Sequence, residues 1–198
     1  MSGFFKRLMK SFLTVVILLG IGLFIFWTPI TTRIVSTRLG EAIGMPVEAE
    51  NIRRGLGKPT LEIEGLTIYN TDDFGGGVFV RVPRFFVKWD SEAIGNGVLD
   101  LAVVELDVAE LHLVENQSGE SNWDVIQAKD YSRDFEFAGI GSLLLSIGEV
   151  HKSKLGGESK RYEINLREER LTQVDELSDL VPLSLKIGLK AGMSLLSF

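Results

Sequence analysis

The stretch Leu99 to Glu115 reads LDLAVVELDVAELHLVE. Apolar residues fall on every second position at Leu99, Leu101 and Val103, resume one step later at Leu106 and Val108, and slip again before Leu111 and Leu113. A period of two is a strand with one apolar face. Each slip marks a place where the strand bulges or bends. The same grammar extends outward. In LEIEGLTIY, Leu61 and Ile63 give way to Leu66 and Ile68 across Gly65. In VFVRVPRFFVKWD, Val78, Val80 and Val82 give way to Phe85, Val87 and Trp89 near Pro83. A proline there favours an edge or a bulge.

Polar turn signals separate these runs, NTDDFGGG from Asn70 to Gly77 and DSEAIGNG from Asp90 to Gly97. Further strands are expected at SLLLSIGEV (Leu143, Leu145, Ile147) and RYEINLRE (Tyr162, Ile164, Leu166), joined by the hairpin loop Leu155 to Lys160. A last strand is expected at VPLSLKIGLK, where Leu183, Leu185, Ile187 and Leu189 alternate. Helical pattern is scarce after Val47, confined to the neighbourhoods of Trp123 to Lys129 and Val174 to Leu180. Long strands joined by short polar turns predict an antiparallel meander. Its apolar face must be buried, either by closing into a small sandwich or, in a half-open groove, against something else. Repeated phase slips supply the twist a curved sheet needs.

The start of the chain is different. Phe12 to Ile30 carries no charge over 19 residues, which as a helix spans about 28 Å, close to a bilayer's hydrocarbon thickness. Phe12, Trp27 and Ile30 delimit this expected anchor, with Lys6, Arg7 and Lys10 ahead of it and Arg33 and Arg38 soon after. That distribution favours a cytoplasmic N-terminus and translocation of the rest. No small-residue cleavage site follows, so the segment reads as an uncleaved signal-anchor. Next, TTRIVSTRLGEAIG places Val35, Leu39 and Ile43 on one face of an amphipathic helix, ended by Gly44 and Pro46. Such a helix covers a sheet edge or lies on the membrane surface. The expected divisions are tail and anchor over 1–30, amphipathic helix over 31–46 and β domain over 47–198.

Composition excludes several functions. A net charge of −6 without a basic block gives nucleic acid nothing to track. The absence of cysteine rules out disulfides, thiolate metal sites and thiol nucleophiles. His112 and His151 are the two histidines; the first lies opposite Leu111 and Leu113 on its strand and reads as solvated, the second sits near a strand end beside Lys152 and Lys154. Spacing alone leaves a two-histidine site with a carboxylate open, but no metal, cofactor or catalytic residue is assigned, and no enzyme activity is expected. FGGGV lacks the Gly-Lys-Ser/Thr end of a phosphate loop, and NLREER reads as a solvated charge run.

The ordered set GLTIYN (Gly65 to Asn70), the aromatic-basic strand ending VKW, GVLDLAVVELDV and the turn ENQSGESNW closing on Asn122-Trp123 resembles the N-terminal region of AsmA-like envelope proteins. That group includes bacterial repeating-β-groove lipid-transport proteins. The resemblance covers Met1 to about Ile126, and GSLLLSIGEV with RYEINLRE resembles the strand pair that follows. It implies a single-pass protein of a bacterial inner membrane, with its bulk in the periplasm, that holds lipid acyl chains in a β-groove. Membrane lipid and other envelope proteins are the implied partners, with no cofactor. The lipid-contact candidates are Leu61, Ile63, Phe85, Val87, Trp89, Leu101, Leu143 and Leu145. Val87→Asp is then expected to stop lipid binding while leaving the fold partly intact. The chain is far shorter than family members. Strands spaced ~4.8 Å apart, about eight of them, span only roughly 35–40 Å, too little to bridge two membranes. The alternative function is a closed β-sandwich that assists assembly of envelope or outer-membrane proteins. In either case Asn122 is expected to bond backbone in its turn, and Trp123 to cap the open end of the sheet with its N–H partnered.

Overall fold

The computed structural model describes residues 32–55, 57–123 and 136–190. Helix α1, Thr32–Ile43, buries Leu39, Ala42 and Ile43, with Met45 just beyond. Gly44 ends it at φ +78°, donating to the carbonyl of Gly40 at 2.8 Å, the left-handed stop that glycine adopts at least cost. The apolar face of α1 is therefore spent on the protein core.

Seven strands form one curved, unclosed sheet. They are β1 Val47–Glu48, β2 Asn51–Arg54, β3 Thr60–Tyr69, β4 Val78–Trp89, β5 Val98–Glu115, β6 Glu136–Lys154 and β7 Ser159–Val174. The order is β1-β3-β4-β5-β6-β7, and β2 pairs with β3 alongside β1. A 3₁₀ turn at Asp72–Phe74 joins β3 to β4. The short helix α2, Ser91–Gly95, joins β4 to β5, and the Asp90 carboxylate caps it by accepting from the amides of Glu92 and Ala93.

Two expectations are corrected. First, the sheet is not an antiparallel meander throughout, because β5 and β6 run parallel. Parallel neighbours need a long connection, and the residues from Asn116 to Phe135 separate the two strands in the chain. Second, VPLSLKIGLK is helix α3, Val181–Lys190, preceded by a 3₁₀ turn at Leu177–Leu180. Alternate leucines also satisfy a helical spacing: Leu180 and Leu183 are buried and Ile187 packs on the core, positions i, i+3 and i+7. Pro182 sits in the first turn, where its missing N–H costs nothing. The hairpin between β6 and β7 lies where the sequence places it.

The phase slips line up. Between the pairs Glu64/Arg84 and Leu66/Val82, Gly65 faces Pro83. Between Val108/Ile147 and Glu110/Glu149, Ala109 faces Gly148. On β7 the register shifts in the same band, and Asn165 takes φ +47°. A crease of small or special residues thus crosses the sheet from β3 to β7. A second crease joins Ala102, Gly141 and Gln173, the last at φ +56°. Because neighbouring strands slip together, Ile63 and Phe85, and then Leu66 and Val82, stay paired on the inner face. Left-handed backbone at a non-glycine residue costs roughly 1–2 kcal/mol, which the flanking ladder must offset. The slips also re-aim side chains: Phe79 and Val104 are buried where alternation pointed to Val80 and Val103.

Candidate functional site

The eight lipid-contact candidates share one face. Leu61, Ile63, Phe85, Val87, Leu101, Leu143 and Leu145 are between 0 and 6% exposed, and Trp89 is half-buried at the rim. They belong to one continuous apolar cluster that runs from α1 across the sheet to Leu180 and Leu183. Alternation leaves Phe79 and Val104 out of this set, because Phe79 lies at the register shift between β3 and β4 and Val104 follows the crease at Ala102. The burial of Val87 also changes an expectation. An aspartate there would be an unpaired buried charge, so Val87→Asp unfolds the domain and does not report on lipid.

At one end of the sheet Asn122 is fully buried. Its Oδ1 accepts from the amide of Val114 at 2.9 Å, and its Nδ2 donates to the His112 carbonyl at 2.8 Å and to Asn70 Oδ1 at 2.7 Å. Asn116 Oδ1 forms the preceding turn by accepting from the amides of Ser118 and Glu120. This turn brings Ser121 back beside Glu115. Trp123 follows, 6% exposed, its ring 5.7 Å from that of Phe79. Its indole N–H is buried and has no partner among the described residues, which corrects the expectation of a satisfied donor.

No protein-family model, curated protein or solved structure matches this chain.

The outer face is polar and laced with cross-strand ion pairs. Arg84 bridges Glu62 at 2.7 Å and Glu105 at 2.6 Å, with its guanidinium 5.7 Å from the Phe86 ring. Hydrogen bonding to Glu62 comes first among the causes that raise its pKa. Tyr69 donates to Glu48 at 2.8 Å, and that bond, ahead of burial and the Glu48 charge, lifts the phenol above its usual 10.0. A wide cleft of about 1650 Å³ opens between α1 and the outer side of β1 to β4, lined by Glu41, Glu48, Glu64, Tyr69, Arg81 and Arg84 among others. None of the eight apolar candidates lines it, so this cleft and the apolar face are separate features.

Farther along the outer face, His112 and His151 are direct neighbours across the parallel pair. Their rings stack at 4.4 Å with 4° between planes. Glu110 lies 3.0 Å from His112 Nε2, and Glu149 lies 2.9 Å from His151 Nε2. The His151 hydrogen bond, then the Arg161 charge, hold the Glu149 carboxyl below its usual range against the opposing cost of burial. The sequence signal for this juxtaposition is the tripeptide Glu-Leu-His at 110–112 repeated as Glu-Val-His at 149–151. It goes unread when the two strands are taken as distant. Among the described residues no helix is long and apolar enough to cross a membrane. The expected anchor residues Phe12, Trp27 and Ile30 lie outside the described residues.

Proposed function

We propose that the chain is a membrane-anchored protein of a bacterial envelope, with its β domain in the periplasm, that takes lipid acyl chains against the inner face of its sheet. The observation that supports this reading is a single curved sheet whose continuous apolar face is not closed by pairing β7 to the opposite edge. Holding an acyl chain requires only such a surface shielded from water. The occupant has to replace something, since the inner residues are already covered. Helix α3 is the element suited to yield. It reaches the core through Val181, Leu183 and Ile187, and its outer ties among the described residues include Lys186 to Glu169 and Lys190 to the Asn165 carbonyl. Surface ties of this kind contribute about 0–1 kcal/mol each. No catalytic chemistry is part of this function.

The near-complete burial of the candidate face favours a second reading, a self-sufficient β module that assists assembly of envelope or outer-membrane proteins. Lipid content separates the two. Residues 31–198, produced without the apolar N-terminal stretch and purified without detergent, should yield stoichiometric phospholipid on extraction. A monodisperse, lipid-free protein would discard the groove and leave the interaction module.

A further inference from the structure

The histidine pair comes from a local repetition. Positions 101–115 of β5 and 140–154 of β6 run side by side in parallel register, so each residue lies beside the one 39 positions later. Ala102 faces Gly141, Ala109 faces Gly148, and Glu110-Leu111-His112 faces Glu149-Val150-His151. In a strand, residues two apart share a face, so each glutamate and its histidine point outward together. Leu113 and Val150, at the opposite parity, are buried. The outcome is two carboxylates and two imidazoles converging on one half-buried patch. Glu110, His112 and His151 each place a ligand atom within 4.8 Å of the others.

We propose that Glu110, His112 and His151 bind a divalent late transition-metal ion, with zinc as the reference ion, across the parallel strand pair. Imidazole nitrogen with carboxylate oxygen suits zinc, copper(II) or nickel(II), while calcium and magnesium prefer oxygen alone. A tetrahedral zinc with bonds of ~2.0–2.2 Å needs its ligand atoms roughly 3.3 Å apart. Metal binding therefore draws together ligand atoms that already lie within 4.8 Å of one another. Glu149 or a water completes the set. Two hydrogen-bonded carboxylates are already oriented from outside, Glu110 by Arg81 at 2.9 Å and Glu149 by Arg161 at 2.5 Å. Such outer partners hold ligands in place. The same arginines lower the local negative potential, so binding depends on the two nitrogens and not on charge alone.

The plain alternative is two independent histidine–glutamate hydrogen bonds. It accounts for each pair separately, and it predicts that neither histidine needs the other. A shared metal makes them interdependent, which is measurable. The full 198-residue chain in non-ionic detergent is stripped with a chelator and titrated with zinc chloride, then separately with copper(II) for electron paramagnetic resonance. The site predicts one zinc per chain, and a copper spectrum with coupling to two imidazole nitrogens. His112→Gln and His151→Gln should each lose the tight zinc isotherm, and either should reduce the copper coupling to a single nitrogen. No zinc uptake, or uptake unchanged in the double variant, would overturn the proposal. Both histidines lie on the half-exposed outer face, so the variants should keep the wild-type circular dichroism. If one fails to fold, the nitrogen count in the wild-type copper spectrum still decides, and a spectrum with fewer than two nitrogens refutes the site.

Discussion

Asn122 donates through Nδ2 to Asn70 Oδ1 at 2.7 Å, and both side chains are buried. Fifty-two residues apart in sequence, they tie the turn after β3 to the return segment after β5. Each amide is also committed to backbone, Asn70 to the Val78 carbonyl and Asn122 to Val114 and His112. Unsatisfied buried polar groups cost about 1–3 kcal/mol each. Asn122→Ala should therefore lower unfolding stability by ~3 kcal/mol, measured by denaturant melts. Asn70→Ala should cost less, and the double variant less than the sum of the two. Strict additivity would mean that the amide bridge does not form.

The creases make a second prediction. A Cβ on Gly148 would lie 2.4 Å from the Ala109 carbonyl oxygen, against 3.0 Å between a Cβ on Gly141 and the Ala102 oxygen. Overpacking of this kind costs about 1–3 kcal/mol. Gly148→Ala should shift the denaturation midpoint clearly and Gly141→Ala less. Equal, negligible shifts would show that the strands are free to separate there.

Tyr69 offers a pH test. Its phenol is raised because the neutral O–H donates to Glu48, with burial adding to the effect. A raised folded pKa contributes stability that is complete below pH ~10 and is lost as the pH rises through the folded value. With Tyr131 and Tyr162 changed to phenylalanine, the ultraviolet phenolate titration should have its midpoint above that of a free tyrosine. Glu48→Gln should bring it down. A midpoint insensitive to Glu48 would remove the bond as the cause.

These sites differ in how far the sequence discloses them. Gly65 and Pro83 announce the first crease, because each breaks strand regularity by its own chemistry. Ala102 and Ala109 do not, and so alternation points Val103 inward where Val104 is buried. Strand direction was equally hidden: the residues after Glu115 begin as a polar turn, and the parallel partner emerges only after Phe135. In α3, leucines at every second position fit both periods, and burial of Leu180 and Leu183 decides for the helix. For the histidines, spacing leaves a two-histidine arrangement with a carboxylate open, but their direct juxtaposition follows only from the parallel pair.

The proposal that α3 yields to an acyl chain carries a fourth prediction. Leu183 is its buried anchor, and truncating a buried leucine costs about 2 kcal/mol or more. If α3 opens as a unit, Leu183→Ala should raise amide exchange across 177–190 and increase binding of a hydrophobic dye, while the sheet's exchange stays slow. Uniform loss of protection in the sheet would mean that α3 is an integral wall of the core.

Lipid against the inner face is the central claim, and photo-crosslinking in living cells tests it most directly. p-Benzoylphenylalanine replaces the inner aromatics Phe85 and Trp89 one at a time in the full chain, with the exposed outward neighbour Lys88 as control. After irradiation and purification, mass spectrometry should find phospholipid adducts at positions 85 and 89 and none at 88. Folded protein free of adducts at both inner positions, or labelled equally at position 88, would contradict the account.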